Sequence, residues 1–97
     1  MGNVTKKYIS EVEEVVMRAA RSPELLHEFL RDVLTPAELD EVALRWQIVK
    51  RLAAGASHRD IAEELGVGVA TIARGARELT NPTGGFWRLL QRPTERS

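Results

Sequence analysis

Thr71, Arg74 and Arg77 recur three residues apart among the small side chains of Val69, Ala70 and Ala73. The chemistry this suits is recognition. A hydroxyl and two guanidinium groups can reach phosphates or the wall of a pocket, while small apolar side chains leave room for base edges and thymine methyls. The residues offer little for catalysis: no nucleophile stands with a base, no glycine-rich phosphate loop occurs, and no ligand spacing suits a metal. His27 and His58 are isolated in the sequence, and a lone histidine is no metal site. The chain is therefore not expected to be an enzyme or to bind a metal.

Those side chains need a scaffold, and the surrounding residues predict one. Ser57-His58-Arg59-Asp60 caps a short helix with Ile61, Ala62 and Leu65 inward and a stop at Gly66. A second helix follows from about Val69 to Leu79, with Ile72, Ala73, Ala76 and Leu79 available for packing, until Thr80-Asn81-Pro82 breaks it. A capped helix, a glycine stop, a short turn and a second helix make a helix-turn-helix pattern, in which the first helix braces across a DNA backbone and the second enters the major groove. The same pattern also serves as a plain packing unit or a protein-binding module, and salt-dependent duplex binding separates these readings.

Upstream, Thr35-Pro36-Ala37-Glu38 forms a capping box that opens the longest helix, with Leu39, Val42, Ala43, Trp46, Val49 and Leu52 on its apolar side and a stop at Gly55. Trp46 is expected in the core or a dimer contact, with a pocket wall as the other reading. A helix from about Thr5 to Arg21 places Tyr8, Val12, Val15, Val16 and Ala19 on one stripe. Ser22-Pro23-Glu24 opens another with Leu25, Leu26, Phe29, Leu30 and Val33 inward. Thr83-Gly84-Gly85 is a flexible link, Phe86-Trp87-Arg88-Leu89-Leu90 one more short helical piece with dimer contacts at Phe86 and Trp87, and 92–97 a frayed polar tail. The expectation is an all-α chain of five to six helices.

Ninety-seven residues make one domain over 1–97, and so short a chain gains from sharing its core with a second copy. The acidic N-terminal helices are assigned to that dimerisation, with a solvated outer face. Net charge is zero but unevenly spread: residues 1–44 carry five Lys/Arg against nine Asp/Glu, and residues 45–77 carry six against three. The middle third is thus the candidate phosphate-facing surface. The absence of cysteine excludes a disulfide framework and a zinc finger. No apolar run is long enough to span a bilayer, and the start lacks a signal-peptide core. A cytoplasmic protein with no membrane partner is expected.

The strings Leu34-Thr35-Pro36-Ala37-Glu38, Ile48-Val49, Ser57-His58-Arg59-Asp60 and Glu64-Leu65-Gly66-Val67-Gly68-Val69-Ala70-Thr71-Ile72-Ala73-Arg74-Gly75 resemble the tryptophan repressor family over roughly Leu34 to Leu79. Members of that family dock as dimers whose two reading heads meet successive major grooves. The resemblance implies an interleaved homodimer, a two-fold operator in double-stranded DNA, and L-tryptophan as corepressor. It places the indole between Arg45 and Arg74 and over Gly75, the ligand carboxylate on Arg74 with Thr35 and Thr71, and the ammonium on carbonyls near Asp32 and Leu34 of the partner chain. On the DNA side it implies Arg59 at a guanine and Val69 and Ala70 at the tip of the reading helix, with Thr71 and Arg77 nearby.

His58, Ala62 and Ala73 depart from the family pattern, so the operator sequence is not expected to carry over. Glu78 departs too, standing where familiar members have a serine near the ammonium. It reads either as a direct partner of that ammonium or as an i, i+4 surface partner of Arg74. A helix-turn-helix regulator that needs no ligand, or takes a substituted indole, is the alternative.

Overall fold

The computed structural model describes residues 2–81 and 84–91, with side chains from Thr5 onward. Among them are six helices and no strand: α1 (Gly2–Ala19), α2 (Pro23–Val33), α3 (Pro36–Ala53), α4 (His58–Leu65), α5 (Val69–Leu79) and α6 (Gly85–Gln91). The polar tail expected over 92–97 and the Pro82-Thr83 step lie outside the described residues. Two compact units divide at Asp40 and Glu41.

In the unit formed by residues 1–40, α1 packs on α2. The amides of Arg21 and Ser22 bond the carbonyls of Arg18 and Ala19 at 3.2 and 3.1 Å, closing α1 two residues before the expected end. Ser22 then caps α2, its Oγ accepting from the Leu25 amide at 3.2 Å, with Pro23 in the first turn where its missing N–H leaves no bond unmade. The capping box of α3 forms in both directions: the Thr35 amide donates to Glu38 Oε1 at 2.8 Å and the Glu38 amide to Thr35 Oγ1 at 3.1 Å. Ala19 is buried and Val15, Leu26, Phe29 and Leu30 are half-buried. Tyr8, Val12, Val16, Leu25 and Val33, expected inward, are exposed. Two helices packed as a hairpin cover only the faces they turn to each other, so much of the stripe stays uncovered within this unit.

The unit formed by residues 41–97 has its core at Ile48, Ile61 and Ile72, surrounded by Leu44, Leu52, Ala56, Ala62, Leu65 and Val67. These residues hold α3, α4 and α5 together. The inward stripe of α3 is therefore Leu44, Ile48 and Leu52 with Val49, whereas Val42 and Ala43, expected on it, are exposed. Gly66 ends α4 in the left-handed region at φ +70°, and both its amide and that of Val67 donate to the Ala62 carbonyl at 2.9 and 3.1 Å. That reversal turns the chain straight into α5. α6 lies against α5, with the Phe86 ring 6.2 Å from that of Trp46. Arg51 clamps α3 to α4 by donating from Nε to Glu64 Oε1 at 3.0 Å, while its other arm bonds Gln47.

Candidate functional site

A cleft of about 230 Å³ opens between α3 and α5. α3 contributes Glu41, Leu44, Arg45, Ile48 and Val49, a sequence of i, i+3, i+4, i+7 and i+8 positions that shares one helix face. α5 contributes Thr71, Arg74, Gly75 and Glu78, again i, i+3, i+4 and i+7, and Phe86 of α6 forms a third wall. Gly75 leaves no room for a side chain against α3: a Cβ on Gly75 would stand 2.8 Å from Ile48 Cγ2. Leu44, Ile48, Val49 and Phe86 supply an apolar lining, and two guanidinium groups and two carboxylates supply the charges.

Those charges are differently engaged. Arg45 Nη2 donates to Glu41 Oε2 at 2.8 Å, a solvent-exposed i, i+4 pair. Arg74 and Glu78 make no hydrogen bond or ion pair with each other or with any other side chain among the described residues, and both are exposed. The surface pair considered for them is not made.

Of the residues singled out for a ligand, Arg45, Thr71, Arg74, Gly75 and Glu78 thus surround one cleft. Asp32, Leu34 and Thr35 belong to the unit of residues 1–40 and are not among its lining residues. Glu41, Leu44, Ile48, Val49 and Phe86 were not anticipated as walls. The signal for the α3 set was present in the helical spacing from Arg45, but Phe86 comes from a separate helix and had no local signal.

The second surface is the pair of helix starts. His58 and Arg59 are exposed on the first turn of α4, where Ser57 Oγ accepts from the Asp60 amide at 3.1 Å. Gly68 precedes α5 as its N-cap and has no side chain to cap it, so no side chain competes for its first amides. Val69 there is 58 % exposed, and Ala70 and Thr71 are exposed beside it. Arg77 is exposed, whereas Ala73 is half-buried and offers less surface. Ile72 and Ile61 are fully buried and fix the two helices to each other.

The hydrogen bond from Arg51, reinforced by its positive charge, holds the Glu64 carboxyl below its ordinary value. The pair braces the scaffold away from the cleft lining. Among the described residues no group of His, Asp or Glu could hold a metal ion. No helix there is long and apolar enough to cross a membrane.

Residues 9–94 match the family described as Trp repressor protein, nearly the whole chain and all of the cleft. The chain belongs to the Trp repressor family. A Trp operon repressor homolog of Vibrio cholerae serotype O1 is 41% identical over 71 residues, covering 71% of this chain and 67% of that protein. Homologs of the same description from Vibrio campbellii and Vibrio vulnificus are each 46% identical over 55 residues, covering 55% of this chain and 55% and 54% of theirs. The chain thus spans about two thirds of the first relative and little more than half of the others. No solved structure matches it. Members of the Trp repressor family are all-helical transcriptional repressors, and the six helices described here agree with the all-helical fold.

Proposed function

We propose that this chain is a cytoplasmic transcriptional repressor that binds a two-fold DNA operator as a homodimer when L-tryptophan is bound as corepressor. The observation that carries the reading is that α5 belongs to both surfaces. Its exposed start, Val69 and Ala70, suits the floor of a major groove, and its Thr71, Arg74, Gly75 and Glu78 face suits the cleft. A filled cleft therefore bears directly on the pose of the reading helix.

The lining fits the ligand class. Leu44, Ile48, Val49 and Phe86 accept an apolar ring, and the planar guanidinium groups of Arg45 and Arg74 suit its faces. Bound tryptophan supplies bulk and an amino-acid head between α3 and α5. Arg74 holds the carboxylate with Thr35 and Thr71, and carbonyls near Asp32 and Leu34 of the second copy take the ammonium. Arg59, His58 and Arg77 hold the DNA with Val69, Ala70, Thr71 and Ala73. Exposed Tyr8, Ile9, Val12 and Val16 share one face of α1 and support a shared dimer core, since clustered apolar surface marks interaction sites.

The test is calorimetry of L-tryptophan into the ligand-free protein, with Arg74→Ala as control, followed by duplex binding to operators selected from random DNA with and without the ligand. One micromolar site per chain, lost in the variant, and operator binding strengthened by tryptophan are expected. Equal operator binding without tryptophan would transfer the function to a regulator with another ligand or none.

A further inference from the structure

The cleft carries two cations and two anions, but only one of each is uncommitted. Arg45 already has Glu41 at 2.8 Å on its own helix. Arg74 and Glu78 have no such partner among the described residues, and they sit four residues apart on the cleft face of α5. Positions i and i+4 of a helix set their Cβ atoms about 5–6 Å apart. Two long side chains from that spacing can converge on the two charged groups of one α-amino acid, which are separated by a single carbon. An aromatic ring seated against the apolar lining displaces water beside both groups and strengthens both contacts.

We propose that Glu78 is the residue that selects the amine: it pairs with the α-ammonium while Arg74 takes the carboxylate, so the cleft admits a zwitterionic aromatic amino acid and rejects its deaminated acid. This rests on the corepressor reading above. The bond is charge-assisted at both ends, N⁺–H to O⁻, and removing one end of such a pair leaves the other desolvated without compensation. An indole acid lacking the amine would bring its carboxylate to Arg74 and set a second negative charge near Glu78 with no ammonium between them. Discrimination then arises from repulsion and lost pairing together, not from fit of the ring.

The experiment is calorimetry of wild type and Glu78→Gln with three probes: L-tryptophan, indole-3-propionate and tryptamine. Glu78 is exposed and unpaired, so the amide variant keeps the fold. Wild type should prefer L-tryptophan over indole-3-propionate by about tenfold to a hundredfold, the range of one charge-assisted bond. Glu78→Gln should abolish most of that preference by weakening L-tryptophan and tryptamine while indole-3-propionate binds equally or better. Charge reversal in Glu78→Lys should invert the order. L-tryptophan binding with an undiminished preference in Glu78→Gln would overturn the assignment of Glu78 and leave the corepressor reading standing. Failure of every probe to bind wild type would overturn both.

Discussion

Gly75 and Ile48 touch where a side chain would have to be: the Cβ that Gly75 lacks would lie 2.8 Å from Cγ2 of an isoleucine that is almost wholly buried. The neighbour is a β-branched methyl held in the core and cannot swing away as the tip of a long chain would. Glycine here therefore sets the distance between α3 and α5, and with it the width of the cleft.

Gly75→Ala should destabilise the protein by about 1 kcal/mol in urea unfolding, as overpacking of roughly 1–3 kcal/mol outweighs the ~1 kcal/mol that alanine contributes to a helix. Ile48→Ala removes the opposing methyl, so the double variant should be less destabilised than the two single changes together. Simple additivity would mean that the helices already have room to separate.

The Arg51–Glu64 clamp predicts an acid limb to stability. Because the pKa of Glu64 in the folded protein lies below its ordinary value of 4.5, the clamp contributes fully above that value and is lost as pH falls through the lower, folded one. Thermal melts from pH 7 downward should show Glu64→Gln flatter than wild type in this window. The difference should shrink in high salt, since the pair is exposed on the Glu64 side. Parallel curves for the two proteins would remove the clamp as a source of the acid limb.

Two arginines on the proposed DNA face should behave differently. Arg59→Ala is expected to relax base preference at one position per half-site, costing about 1–3 kcal/mol on the preferred operator. Arg77→Ala should weaken all sequences alike and lower the salt slope by about one. Selection from randomised operators, with each variant titrated at several salt concentrations, distinguishes the two. Uniform loss in Arg59→Ala would make that residue a phosphate contact.

Thr35 has a structural role that can be separated from any ligand role. Thr35→Ala should cost about 1 kcal/mol through loss of the bond its hydroxyl accepts from Glu38. Thr35→Ser keeps that oxygen and should restore stability in denaturant melts. If serine fails to rescue, the methyl rather than the cap holds this corner.

What the sequence determined by itself is local. Ser22, Ser57 and the Thr35–Glu38 box place helix starts because a side-chain oxygen three residues away can satisfy an otherwise open amide, and Gly66 places a stop because it enters the left-handed region without a steric penalty. From those boundaries the two-helix head over 57–79 follows, and helical spacing puts Thr71, Arg74, Gly75 and Glu78 on one face. Only the tertiary structure decided which stripe of α3 turns inward. That helix has apolar residues on several faces, and periodicity alone does not say which neighbour will cover which, so Leu44 and Ile48 took the place expected for Val42 and Ala43. The same long-range packing gave Gly75 its reason in Ile48, brought Phe86 to Trp46 and the cleft, and joined Arg51 to Glu64 across 13 residues of chain. Contacts of that kind depend on how helices cross in space, and a local pattern carries no record of the crossing.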